Sequence, residues 1–552
     1  MTHRGKRCEL SSDCAQTVKG NVSHAQTANF PKFVRAIGLS IALLGVTLFC
    51  FAQQSAVPGG STGGGGISNP NPEGPRKTFI PNGTLFSNPA GVSQTFSRVG
   101  GGIDETGPFF QNLGSNGRSC ATCHQPSDGM SVAAANVQAR FNQSQGSDPI
   151  FRTNDGSNCD HDIDVSTLRG RASAYSLLRT RGLIRIAIAV PSGADYVVTS
   201  VNNPYACNET NVISQYRRPL PTTNLPFLST VMWDGRESTP LTGTTKILFN
   251  NFPASLQSDL AHQSLDATIG HAQGDGTRPT AAEQQQIVNF EMALFTAQAA
   301  GQIGGPLNEG GFNGGPGPLS TQPFFISINS SVHALLPNGP EQPGGFVQPG
   351  DGVFTSNIFN IFNGPPGFSL AQSFSASVTR GQTIFNSRPI TITGVGGIND
   401  DISQGGLVAG GIPSLTGTCG TCHDTPNVGN HSFPTPLNIG TGDFSAANPS
   451  QNMGGLDVSY LPQIRVCQLV NGQASNNCKT TTDLGQALID GQFDHVGKIK
   501  GPILRGLSAR APYFHNGSAQ SLVDVANFYN NRFTMGMSQQ DIIDLANFLS
   551  ML

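Results

Sequence analysis

The sequence predicts a mainly α fold: two compact helical domains with long irregular loops. Three observations predict it. Two motifs of one form, CxxCH, stand far apart at 120–124 and 419–423, one for each domain. Helical periodicity closes both regions, and no stretch shows strong strand alternation. Glycine (68) and proline (37) make up nearly a fifth of the 552 residues, which gives much loop to the rest.

The chain begins with basic residues up to Arg35, then the apolar run "AIGLSIALLGVTLFCFA" at 36–52. A positive flank, an apolar stretch and a small residue at its end predict export, with cleavage after about Ala52 and a periplasmic location. A retained membrane anchor is the alternative, although the run is short for a span. A tether rich in Gly, Pro and Asn occupies 53–94, including "VPGGSTGGGGISNPNPEGPR".

The first domain is expected over 95–300. It ends in "AAEQQQIVNFEMALFTAQAA" at 281–300, where Ile287, Phe290, Leu294 and Phe295 recur at helical spacing. Residues 301–370 are again rich in Gly, Pro, Asn and Phe, and predict a linker or a wrapping loop. The second domain is expected over 371–552. It opens on the helix-like "SASVTRGQTIFNS" and closes on "SQQDIIDLANFLSML". There Ser538 is placed to cap a helix whose Ile542, Leu545, Phe548 and Leu549 share one face. The formal net charge is −3, which points to no nucleic-acid partner and no polybasic membrane contact.

Of 11 cysteines, Cys8, Cys14 and Cys50 fall in the export segment. Four belong to the two motifs: Cys120 and Cys123, followed by His124, and Cys419 and Cys422, followed by His423. The remaining four predict two disulfides in an oxidising compartment, Cys159–Cys207 and Cys467–Cys478, the second closing a short loop.

Positions three and four apart share a face of a helical turn. Two thiols so placed can add to the vinyl groups of one haem while the next residue, a histidine, reaches its iron. From this chain's Cys and His content a chance CxxCH arises on the order of once in 10^5 positions. Two of them predict two covalently bound haem c groups. A redox CxxC and a zinc knuckle are the alternatives, and the histidine trailing both motifs argues against each.

Three stretches extend this reading: "TVMWDGRE" at 230–237, the second motif, and "GKIKGPILRGLSARAPYFHNGSAQSLVDVANFYNNRF" at 497–533. With the two-motif layout they resemble the bacterial di-haem cytochrome c peroxidase and MauG family, over about 95–300 and 371–552. The resemblance implies two cytochrome c-like haem domains. It makes the first haem (His124) the peroxide site and the second haem (His423) the electron-receiving one. Trp233, the chain's single tryptophan, stands where the family relays charge between haems. Tyr529 lies fourteen residues after His515, where family peroxidases place a methionine ligand and MauG-type proteins a tyrosine. Met535 and Met537 are the alternative ligands to the second iron.

The family's distal glutamine is matched by Gln263, and no glutamate follows at the family's distance. His271 is the nearest titratable group. It is either the acid–base group beside the first iron or a ligand that closes it. Asp266 and Glu237 are weaker candidates, Glu237 being expected to pair with a nearby arginine.

The resemblance also makes one calcium ion a candidate cofactor. The carbonyls of Arg510 and Pro512 and the side chain of Asn224 would be near it, although Arg510 replaces a threonine of the family. The expected partners are hydrogen peroxide and a small cytochrome c or cupredoxin donor, with a homodimer as the candidate assembly. A MauG-like oxidase acting on a protein or organic substrate, and a pure electron-transfer di-haem cytochrome, are the competing functions. Two inserts, 154–175 and 301–370, are expected to cover the haem edges, shape a partner site or merely decorate the surface.

Overall fold

The computed structural model describes residues 79–228, 230–239, 255–307, 312, 314–322, 370–399, 414–423, 425–429, 436–444 and 456–552. The expected export segment, the tether up to residue 78 and most of the 301–370 stretch lie outside the described residues. Among the described residues no helix is long and apolar enough to cross a membrane.

The architecture is mixed α and β, which corrects the mainly α expectation. Of the described residues 33% are helical and 22% are in strands, spread over several small sheets. The largest has four strands in the order Phe86–Asn88, Gly91–Ser97, Leu294–Gly301, Gly305–Pro306. A three-stranded sheet pairs Tyr196–Asn202 with Gln463–Val470, which pairs in turn with Gln473–Thr481. Ile184–Ala189 and Val212–Arg217 form an antiparallel ribbon.

In the four-stranded sheet much of the buried face is polar. Ser93, Thr95 and Ser97 of one strand are at most 5% exposed, and Thr296 and Gln298 of its neighbour are fully buried. Hydroxyl pairs satisfy them: Thr95 Oγ1 lies 2.8 Å from Thr296 Oγ1, which donates to Thr223 Oγ1 at 2.9 Å. Alternation of Ser and Thr with Val, Gln and Phe carries almost no hydropathy signal, so period two is present in burial but not in composition.

The helix expected over 281–300 is a second correction. It runs only over Ala281–Ala293, and Leu294–Gly301 is a strand. Thr280 opens the helix, accepting from the Glu283 amide while Glu283 reaches back to the Thr280 amide. Leu294 and Phe295 are fully buried, as helical spacing implied, but they are buried in a sheet where Phe295 faces Phe96. Burial alone does not distinguish the two periods over so few residues.

The C-terminal helices form as expected. Leu370–Ser387 packs against Gln539–Ser550, whose Ile542, Leu545, Phe548 and Leu549 are all buried. Ser538 Oγ accepts from the Asp541 amide, capping the second helix. The two approach closely at Gly381, where a Cβ would come within 2.0 Å of the Asp544 carbonyl oxygen. Arg380 and Ser377 both reach the Asp544 carboxylate, at 2.6 and 2.5 Å. Both expected disulfides are formed, Cys159–Cys207 and Cys467–Cys478.

Candidate functional site: two cavities on a shared wall

Each CxxCH motif opens onto its own cavity. The sequences "SCATCH" and "TCGTCH" fold alike. Ser119 and Thr418 are N-caps, and each backbone amide donates to a threonine hydroxyl three residues on: Thr122 Oγ1 at 2.9 Å and Thr421 Oγ1 at 2.8 Å. The turn then closes with the amides of His124 and His423 donating to the carbonyls of Cys120 and Cys419, each at 3.0 Å. This winds both thiols and the histidine of each motif onto one tight turn.

The first cavity spans about 1410 Å³, counting the solvent at its open side. Cys120, Cys123 and His124 line it, together with Trp233, Gln263 and His271. The sequence had named all six, and the fold brings them to one place. His124 Nδ1 lies 3.1 Å from the Met130 carbonyl, which orients the ring and leaves Nε2 for a ligand role. Burial lowers the His124 pKa to about 4, so the imidazole is neutral, the form that binds a metal.

His271 sits in the last turn of Leu256–Ala272. That helix end rests on Gly114, where a Cβ would come within 2.1 Å of the Ala272 carbonyl oxygen. His271 Nδ1 lies 2.5 Å from Asp155 Oδ2, and the other oxygen of Asp155 pairs with Arg118. Burial pushes the Asp155 carboxyl up, but bonding to His271 and the charge of Arg118 outweigh it and hold the pKa below its ordinary value. Asp155 belongs to the 154–175 insert, which is stapled by the Cys159–Cys207 disulfide and joined to the same helix end by Asn154 Nδ2, donating to the Gly270 carbonyl at 2.9 Å. That insert therefore contributes Asp155 to the cavity wall.

The weaker candidates Glu237 and Asp266 are not among the residues lining the first cavity. Glu237 Oε2 lies 2.8 Å from His262 Nδ1, and Arg236 is more distant at 3.9 Å, so its chief partner is a histidine rather than the expected arginine.

Sequence reasoning missed Glu291. It is 3% exposed, lines the first cavity, and its Oε2 has no hydrogen-bond partner. Burial raises its pKa to about 8. It lies one position from Phe290, whose ring packs on Phe109 at 4.8 Å, and Phe109 stands 6.3 Å from the His124 ring.

The second cavity, about 1830 Å³ to its mouth, is lined by Cys419, Cys422, His423, His515, Tyr529 and Met535 among others. Tyr529 stands edge-on to His423, ring centres 6.4 Å apart, within a cluster of Phe514, Phe528 and Phe533. Burial pushes its phenol pKa up. Met535 lines this cavity too, whereas Met537 is packed into the hydrophobic core. His423 Nδ1 is buried without a partner, and burial lowers its pKa to about 4.

None of the four motif cysteines is in a disulfide. Burial pushes the Cys120 and Cys419 thiols up to about 12, away from the thiolate that a redox CxxC would use. Large, mostly apolar cavities, paired thiols and a neutral histidine at each form a donor set that fits a covalently held haem.

The two cavities share a wall. Arg218, Pro219, Leu220, Pro221, Trp233, Lys500 and Ile503 line both. Trp233 is held from three sides. Its Nε1 donates to the Arg218 carbonyl at 2.7 Å, its carbonyl accepts from the Lys500 amide at 2.9 Å, and its ring meets His515 edge-on at 6.1 Å. The next residue, Asp234, is fully buried between Arg217 and Arg236, and those cations overcome burial to lower its pKa to about 2. Arg217 also pairs with Asp483 at 2.7 Å, fastening the Trp233 turn to the 463–483 segment.

Two of the three calcium candidates, Asn224 and Arg510, are otherwise engaged. Asn224 exchanges two side-chain bonds with the backbone of Thr296, at 2.9 and 3.1 Å, and the Arg510 carbonyl accepts from Arg218 Nη2 at 2.7 Å. A guanidinium thus takes a carbonyl that a cation would need.

A scan of protein-family models and a search of curated proteins each gave no match. Among solved structures the chain is remotely similar to hydrazine synthase of Kuenenia stuttgartiensis, at 13% identity and TM-score 0.25, over 75% of this chain and 87% of that one. It is as remotely similar to a MauG-like protein associated with microbial copper homeostasis, at 12% identity and TM-score 0.26, over 80% of this chain and 85% of that one. Neither likeness defines a family for this chain.

Proposed function

We propose that the chain is an exported two-haem c-type oxidoreductase that reduces hydrogen peroxide with electrons from a small cytochrome c or cupredoxin. One observation carries this reading: two CxxCH cavities share a wall that holds the single tryptophan. Cys120, Cys123 and His124 would hold one haem and Cys419, Cys422 and His423 the other. When bound, the haems supply the one-electron and peroxide chemistry that side chains lack.

The residues around the first cavity have distinct tasks. Asp155 takes the His271 Nδ1 proton as its hydrogen-bond partner, which leaves Nε2 as the free acceptor or donor at the cavity. An imidazole held in one tautomer can take a proton from one peroxide oxygen and return it to the other. Gln263 offers an amide to orient the bound peroxide. Trp233 divides the gap between the cavities into two shorter electron hops, and its hydrogen bond to Arg218 fixes the indole plane.

Tyr529 favours a second reading, a MauG-like oxidase acting on a protein or organic substrate. Its ring stands edge-on to His423, and a phenol oxygen donor to the iron would favour the oxidised state and so a lower potential than methionine would give.

The test is stopped-flow mixing of the half-reduced protein with peroxide and a reduced small cytochrome c, after counting covalent haems. Two haems per chain, rapid donor oxidation and cyanide binding at one haem only are expected. Trp233→Phe is expected to slow donor oxidation at least tenfold with peroxide binding intact. Two ligand-resistant haems with no donor oxidation would make the chain an electron carrier instead.

A further inference from the structure

The shared wall holds two buried cations, Lys500 and Arg218, and a third, Arg510, lines the second cavity beside them. Lys500 is 2% exposed, Arg218 5% and Arg510 7%. None of the three has a carboxylate within ion-pair distance among the described residues. Each arginine has two or more bonds to backbone carbonyls: Arg218 to Arg181, Val132 and Arg510, Arg510 to Arg505 and Ile503. Lys500 is held by less. Its Nζ makes one long bond, 3.3 Å to the Gly501 carbonyl, so two of its three donors are unused.

A buried charge with neither a counter-charge nor a full set of hydrogen bonds is strongly unfavourable. Burial, reinforced by the like charge of Arg510, lowers the Lys500 pKa to about 7. The position calls for an anion, and Lys500 lines both cavities. A haem carries two carboxylates on one edge, so each cavity would receive a ligand of the required sign.

We propose that Lys500 is the carboxylate anchor at the shared wall, pairing with a haem carboxylate and setting the reduction potentials of both haems. It is a positioning residue. Arg218 and Arg510 add positive field, and backbone carbonyls hold both guanidinium groups in place. A fixed positive charge beside an iron centre favours the state with one more electron, so the wall raises both potentials. This inference rests on the two-haem reading given above.

The experiment is spectroelectrochemical titration of the holoprotein and its Lys500 variants, with covalent haem counted beforehand. Lys500→Met is expected to lower the midpoint potentials of both haems, and Lys500→Arg to leave both near the parent values. If Lys500→Met does not accumulate, Lys500→Gln, which keeps a polar end without charge, carries the same expectation. Unchanged potentials in a two-haem protein overturn the anchor alone, as does an equal drop in the arginine variant. Absence of covalent haem overturns the two-haem reading and the anchor with it.

Discussion

Glu291 gives a prediction that can be worked through from the structure. Its carboxyl is buried with one oxygen unpartnered, and burial alone raises its pKa from 4.5 to about 8. The folded protein therefore holds a proton that the unfolded chain gives up near pH 4.5. Such a group contributes stability that is complete below pH 4.5 and is lost as the pH climbs towards 8. Each pH unit in that window is worth about 1.4 kcal/mol, so by pH 7 the loss is on the order of 3 kcal/mol. Glu291→Gln cannot ionise, so it should escape the loss. Its amide adds a constant cost of roughly 1–3 kcal/mol for unsatisfied N–H groups, which is the same at every pH. The informative quantity is thus the difference between variant and parent as a function of pH. Urea denaturation between pH 4.5 and 8.5 should show Glu291→Gln gaining about 3 kcal/mol on the parent between pH 4.5 and 7, then levelling near pH 8. Parallel pH profiles would refute the reasoning, and so would a gain in the opposite direction.

Three further outcomes are expected. Asp155→Asn should cost about 3 kcal/mol in urea denaturation, because it leaves the buried Arg118 without its counter-charge; Arg118→Met in the same chain should restore part of that loss. Gly381→Ala should destabilise by about 2–3 kcal/mol, since the new methyl meets the Asp544 carbonyl, which is backbone and cannot swing aside; thermal unfolding reads it directly. Tyr529→Phe should change the absorption spectrum of one haem only and raise its potential, with stability altered by less than about 1 kcal/mol; an unchanged spectrum would leave Met535 as the ligand.

The parts of the site that were legible are those written in short, contiguous patterns. The two motifs, Trp233 in "MWDGRE" and Tyr529 after "PYFH" rest on spacing within one turn or one segment, and they line the cavities. Gln263 and His271 lie on one helix at a spacing that sets both towards the first cavity. Helix caps at Thr280 and Ser538 are local chemistry as well. The residues that were not legible owe their place to tertiary folding. Asp155 reaches His271 across 116 positions of sequence, and Lys500 meets the carbonyl of Trp233 from the far end of the chain. Glu291 reads as one polar position of an amphipathic helix until the fold buries it at the wall of the first cavity. The four-stranded sheet was illegible for another reason: Thr95, Thr296 and Gln298 put hydrogen bonds where hydropathy expects methyl groups.

The shared wall has an evolutionary consequence. Trp233, Lys500 and Arg218 each face two cavities, so no substitution there is private to one of them. Selection acting on one centre is constrained by the fitness of the other. Among relatives, these positions should therefore drift together or not at all, while the outer linings, Gln263 on one side and Met535 on the other, are free to diversify independently. Novel chemistry in this lineage would be acquired from the rims inward, with the wall the last part to change.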